Sequence, residues 1–249
     1  LKRKQKIIIT AGLLFSALCM VYVYVFNPFI EQVRDTPTGL SDFRDMGYYT
    51  IDPETILTSL DRGETAVFTP EIATPQAPIF NEPFSWHQSD YLKIVDALHQ
   101  FVWEESLEGW SLYYMDFSTA CHDGVDGFGL GDFYYFKTIF DKGQIGYTAR
   151  ELFISPQYGH VAWGGNANFP HPISGWKSIN LDNIQVSAED ALRIAEENGG
   201  KEARLSVQNK CKINVGLSGY TSWEVFIFDY ETGSPIFRMK IDPYSGKIN

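Results

Sequence analysis

Five histidines, three cysteines and a run of aspartates in a glycine-rich stretch are the residues of this sequence best suited to chemistry. The histidines (His87, His99, His122, His160 and His171) are never three or four apart, and no H-E-x-x-H occurs, so a zinc-hydrolase site has no local support. No G-x-S-x-G elbow or phosphate-binding P-loop occurs either, and Ser174-Gly175 and Ser218-Gly219 read as turn pairs. Cys121 and His122 are adjacent, which on a strand sends them to opposite faces and argues against a thiolate–imidazole dyad. In CHDGVDGFGLGD (121–132), Asp123, Asp126 and Asp132 could offer oxygens to Ca²⁺. Their spacing is not that of an EF-hand, and a plain hairpin loop is the competing reading. Cys121 and Cys211 are the only cysteines outside the N-terminal apolar run. An even pair in an oxidising compartment suggests a disulfide; two separately buried thiols are the alternative. With no catalytic constellation, the expectation is a protein that is not an enzyme, with Ca²⁺ as its one cofactor option. An uncharacterised hydrolase ranks last among the functions considered.

The element that places these residues relative to a cell is at the N-terminus. Ile7 to Phe26 reads IIITAGLLFSALCMVYVYVF, twenty residues without a charge. At about 1.5 Å per residue this spans roughly 30 Å, the thickness of a bilayer's hydrocarbon core. Lys2, Arg3, Lys4 and Lys6 precede it and favour a cytoplasmic N-terminus, which puts the remainder outside the cytoplasm. The run ends without a small-x-small cleavage site, and Leu18 before Cys19 is too large for a lipoprotein signal. The reading is a single-pass cell-membrane anchor with an extracytoplasmic body. Net charge is −11 overall, and without the four basic residues of the tail it is about −15, which disfavours nucleic acid as a partner.

Beyond the anchor, seven of the twelve prolines fall between Pro28 and Pro83, so residues 27–86 are expected to run as an irregular strap, apart from a helical turn or two at Pro53–Leu60. Scattered aromatics such as Phe43, Tyr48, Tyr49 and Phe68 suggest that the strap lies against something. Periodicity then predicts a helix over 90–105 capped by Ser89, with Leu92, Val95, Leu98 and Val102 on one face. Strands are expected at 110–121, 132–141 and 148–156. The order recurs: a helix over 188–198 capped by Ser187 and ended by Gly199-Gly200, then strands at 203–213, 222–230 and 235–242. YFKTIFD (135–141) lies over WEVFIFD (223–229), and LFISPQYGHV (152–161) over MKIDPYSGKI (239–248). This reads as an internal duplication, with units at 87–176 and 177–249. The stretch 159–176 between them reads as a long apolar loop, whose Trp163, Phe169 and Trp176 are candidates for a partner surface.

VSAEDALRIAEENGG (186–200), WEVFIFD (223–229) and the closing IDPYSGKI (241–248) together resemble a PepSY domain. The first half resembles that family only through its likeness to the second. The resemblance implies a non-cytoplasmic, non-catalytic domain linked to protease inhibition or assembly. The expected fold is therefore α+β, a membrane helix followed by two tandem PepSY-like units, each a helix on a three-stranded antiparallel sheet. The expected function is a membrane-anchored accessory subunit that binds the bilayer through residues 7–26 and another membrane or extracytoplasmic protein through its body. Regulation of an extracytoplasmic protease is the alternative.

Overall fold

The computed structural model describes residues 45–71, 86–121, 126–141, 144–169, 177–219 and 222–249. The apolar run at 7–26 lies outside them, and among the described residues no helix is long and apolar enough to cross a membrane.

All nine strands of the described residues form a single antiparallel sheet. In chain order they are β1 (Asp45–Thr50), β2 (Thr69–Glu71), β3 (Ser111–Ala120), β4 (Leu130–Asp141), β5 (Gln144–Ser155), β6 (His160–Phe169), β7 (Cys211–Ser218), β8 (Trp223–Asp229) and β9 (Pro235–Ile241). Across the sheet the order is β2-β1-β6-β5-β4-β3-β7-β8-β9. The helices are α1 (Ile56–Asp61), α2 (Gln88–Trp103), α3 (Ala188–Ala195) and α4 (Lys201–Ser206). The architecture is α+β, but the two helix-plus-meander stretches do not carry separate sheets. Their first strands, β3 and β7, pair directly from Tyr114↔Ser218 to Ala120↔Lys212.

Strand pleating explains which side the helices take. Along β7, Cys211, Ile213, Val215 and Leu217 are buried while the residues between them are partly exposed, the alternation of a strand with one face on a core. Helix α2 presents Tyr91, Ile94, Val95 and Leu98 to that face, all fully buried at i, i+3, i+4 and i+7 spacing. The Tyr91 ring meets Phe117 edge-on at 5.5 Å, and its hydroxyl donates to the Phe128 carbonyl at 2.7 Å. Helix α3 turns Ala188, Ala191, Leu192 and Ala195 inward, and the three alanines let it lie close to β7 and β8. Trp223 is the largest fully buried side chain, and its indole N–H donates to the Val186 carbonyl at 2.8 Å.

The two helix starts meet across the seam. Gln88 Oε1 accepts from the Ala188 N–H at 2.8 Å, and Glu189 Oε1 accepts from the Gln88 N–H at 2.5 Å, so each helix satisfies part of the other's open first turn. A disulfide joins Cys121 to Cys211, with Cα atoms 5.2 Å apart, at the rung after Ala120↔Lys212.

Several elements differ from the sequence expectation. The 27–86 segment is not irregular throughout: its described part supplies β1, α1 and β2, and β1 pairs with β6 along its whole length. The stretch 159–176 is not a loop over its first ten residues, because His160–Phe169 is the strand β6 between β5 and β1. Helix α2 begins after His87 and not Ser89; Asp90 Oδ2 accepts from the His87 N–H at 3.0 Å. The helix after Ser187 is interrupted at Asn198 and Gly199, where φ is +108°, and resumes as α4 over residues expected to start a strand. Ser187 caps α3 as its sequence position suggests, its Oγ accepting from the Asp190 N–H at 3.1 Å.

Candidate functional site on the open face of the sheet

The helices of the described residues pack on one face of the sheet, so the residues that alternate with the core set point to the other. On that open face, strand register assembles groups far apart in sequence. Asp116 of β3 lies opposite both Asp132 of β4 and Gly216 of β7, and Tyr114 lies opposite Tyr134 and Ser218. Farther along, Asn214 is opposite Phe226, Glu224 is opposite Lys240, and Phe226 is opposite Arg238.

Between β3 and β8 this face holds a groove of about 410 Å³. Its floor is Asp116, flanked by Asn214 and by the gap that Gly216 leaves. A Cβ at 216 would sit 2.9 Å from Asp116 Oδ1, so glycine is what keeps that carboxyl oxygen reachable from the groove. Phe226 and Phe228 form one wall, their rings stacked at 5.6 Å, and Tyr114 forms another. Glu224 closes the rim and is already matched: Arg238 donates to it at 2.9 Å and Lys240 lies 2.6 Å away. Burial pulls the Glu224 carboxyl upward, but these two cations hold it below its ordinary value.

Asp116 is in a different condition. Burial pushes its carboxyl up to about 6, against the opposing pull of the Lys212 charge and of hydrogen bonds from Asn214 and Tyr114. The Asn214 amide donates to Asp116 Oδ2 at 3.1 Å, while the Asn214 carbonyl oxygen is buried without a hydrogen-bond partner. No ion pair within 4 Å reaches Asp116 among the described residues. Next to it, burial and the neighbouring carboxyls of Glu151 and Asp116 drive Asp132 well above the carboxylate range, and Asp132 shares a hydrogen bond with Glu151. Glu151 is itself buried. The open face therefore carries a line of withdrawn acids beside an aromatic groove.

A second polar cluster lies on the helix side. The Arg150 guanidinium is sandwiched between Trp103 and Trp110, 4.2 and 3.9 Å from their ring centres. It donates to His99 Nε2 at 2.6 Å and to Glu105 Oε2 at 3.1 Å. His99 Nδ1–H donates to the Glu105 carbonyl at 2.8 Å, so the imidazole is neutral, and burial lowers its pKa to about 4. Glu105 is held down at about 2, first by its hydrogen bond from Lys137. The guanidinium, imidazole and carboxylate hold one another in a packing cluster, with Arg150 Nε and Trp110 Nε1 buried without a hydrogen-bond partner. At the far edge, His160 is buried, 3.2 Å from Glu71, and stacked on Tyr48.

The aspartates read as Ca²⁺ candidates do not converge among the described residues. Asp126 lies in an acidic recess beside α3 with Glu189 and Asp190, whereas Asp132 is on the opposite, open face. Asp123 lies outside the described residues. Among the described residues no group of three or more His, Cys, Asp or Glu side chains could hold a metal ion. Trp163 is half-buried on the helix side, packed edge-on against Trp103 at 5.3 Å and filling the space above Gly47. Phe169 ends β6, opposite Tyr147; its side chain and Trp176 lie outside the described residues. The groove was not among the sequence-based candidates. Its one local signal was polar Asp116 and Asn214 within otherwise apolar strands, which register alone makes neighbours.

Comparison with protein families gives a match over residues 185–248 to PepSY, the peptidase propeptide and YPEB domain. The match takes in α3, α4 and strands β7 to β9, including two of the groove's three strands. No curated protein matches the chain. Among solved structures, HtdX of Mycobacterium tuberculosis aligns over 77% of this chain and 95% of its own at 10% identity and a TM-score of 0.15, a value from which no likeness is drawn.

Proposed function

We propose that the chain is a membrane-tethered, extracytoplasmic accessory protein, non-catalytic, that holds a second membrane or secreted protein against the open face of its sheet. The observation that carries the reading is the groove itself: stacked aromatics, a withdrawn acid and a charged rim, on a face where no helix of the described residues packs. Such a face, part apolar and part charged, is the composition of a protein-binding patch. The PepSY match at 185–248 supports a protease-related or accessory role outside the cytoplasm. The uncharged run at 7–26 supports the tether. The shared order of helix and three-stranded meander on either side of the β3–β7 seam favours two related units in one body.

A photo-crosslinking residue at Phe228 of the full chain, in its native membrane, tests the proposal. A discrete heavier adduct is expected, absent when the same probe replaces exposed Glu54 far from the groove. Recovery of only the uncrosslinked chain, or equal adducts from both positions, overturns it. The family's description as a peptidase propeptide favours a second reading, regulation of an extracytoplasmic protease. A peptidase in the Phe228 adduct, slowed by the added full chain, selects that reading.

A further inference from the structure

We propose that the open-face groove is a receptor for one cationic side chain, an arginine or lysine of the partner protein, with Asp116 as its counter-ion. The inference rests on the accessory reading above and names what the groove recognises.

Charge and shape both favour this occupant. At the rim, Glu224 is neutralised within the chain by Arg238 and Lys240, whereas Asp116, hydrogen-bonded by the neutral Asn214 and Tyr114, is the groove's acid without an ion pair among the described residues. Lys212 influences Asp116 through space without forming an ion pair within 4 Å. The Gly216 gap leaves Asp116 Oδ1 open to the groove, because any Cβ there would press on it at 2.9 Å. Beside it, the buried Asn214 carbonyl oxygen has no hydrogen-bond partner. The donors that reach the Asp116 carboxylate, Asn214 and Tyr114, are neutral, so what the groove lacks is a positive charge. A guanidinium or an ammonium supplies several N–H donors and the opposite charge at once.

The walls suit the stem of such a side chain. Phe226 and Phe228 present stacked ring surface on which a long aliphatic chain or a planar guanidinium can lie. The protein already uses this wall in that way on its outer side, where the Arg238 guanidinium sits 5.0 Å from the Phe226 ring centre. An anionic ligand would meet Asp116, and a wholly apolar one would bury Asp116 without a counter-ion at considerable cost. The volume, about 410 Å³, has room for a long side chain and part of the backbone bearing it.

The test uses the full 249-residue chain with three small probes at pH 7.5: the methylamides of N-acetyl-arginine, N-acetyl-lysine and N-acetyl-citrulline. The readout is the Asn214 side-chain amide signal in ¹H–¹⁵N spectra. At least one cationic probe should shift it in a saturable manner, while the neutral citrulline isostere should not. Asp116→Asn should weaken the cationic probe at least tenfold, and Gly216→Val should abolish its binding by filling the gap. Thermal melts confirm that each variant is folded. Equal shifts from citrulline, full affinity in Asp116→Asn, or no saturable shift from either cation overturn the assignment. An adduct from Phe228 that persists in Asp116→Asn, with no probe binding, removes this inference and leaves the accessory reading standing. Probe binding without any adduct does the reverse.

Discussion

Replacing Asp116 with asparagine should stabilise the protein at neutral pH and leave its stability unchanged in acid. The ordinary aspartate value of 3.8 is raised by burial to about 6 in the folded protein, so between these values the native state holds a proton that the unfolded chain releases. A carboxyl with a raised folded pKa supports folding below about pH 4, and that support is lost as pH climbs through 6. At about 1.36 kcal/mol per pKa unit the shift corresponds to roughly 3 kcal/mol, and partial contact with water brings the expected gain to about 2 kcal/mol. Asparagine keeps an oxygen to accept from Asn214 and removes the charge. For a chain of this size, about 2 kcal/mol raises Tm by roughly 4–8 °C. Paired melts of wild type and Asp116→Asn at pH 7.5 and pH 4.0 give the answer. The reasoning is refuted if the variant is destabilised at pH 7.5, or if the same difference appears at both pH values.

His99 should show the opposite pH dependence. Burial lowers its pKa to about 4, so the native state excludes a proton that the unfolded chain takes up below about 6.5, and stability falls as pH drops from 7 towards 4 by an amount on the order of 3 kcal/mol. In an Asp116→Asn background, which removes the aspartate's opposing contribution, His99→Gln should flatten that acid limb in denaturant titrations; an unchanged limb would locate the acid sensitivity elsewhere. Cys121→Ser with Cys211→Ser opens a loop spanning 90 residues, and chain entropy puts the loss at about 4.6 kcal/mol. Urea midpoints should fall by the same amount in the double variant and in reduced wild type, and a midpoint insensitive to reductant would show that the bridge carries little stability.

The chain's regular elements were legible wherever periodicity and composition agreed. The α2 face of Val95 and Leu98, the aromatic strands β3 and β4, and the Ser187 cap all follow from local pattern. The strand β6 was not legible, because Gly164-Gly165 in HVAWGGNANF imitates a loop. The structure supplies the reason for one of these glycines: a Cβ at Gly165 would stand 3.0 Å from the Trp103 ring, so it serves helix packing against a strand. Residues 203–206 of α4 fall where a strand is expected, because Gly199-Gly200 looks like a terminus, whereas the chain kinks at Gly199 and turns helical again. The candidate site was the least visible. Asp116, Asp132, Glu151 and Asn214 have no meaningful spacing in sequence, and only cross-strand register makes them neighbours. The same separation led Asp132 to be grouped with Asp126, its neighbour along the chain and not across the sheet.

The β3–β7 seam also bears on how many chains make one folded body. The two helix-plus-meander stretches meet edge to edge through β3 and β7 as well as through their helix starts, so β3 of one molecule could accept β7 of another with the same ladder. Domain exchange of that sort needs only an open connection and a high local concentration. The Cys121–Cys211 bridge closes the seam within one chain and records covalently which β7 was chosen. If β7 is exchanged before oxidation, non-reducing electrophoresis of chains oxidised at rising concentration should show a disulfide-linked dimer band, and a monomer band alone at every concentration would show that the seam closes within one chain.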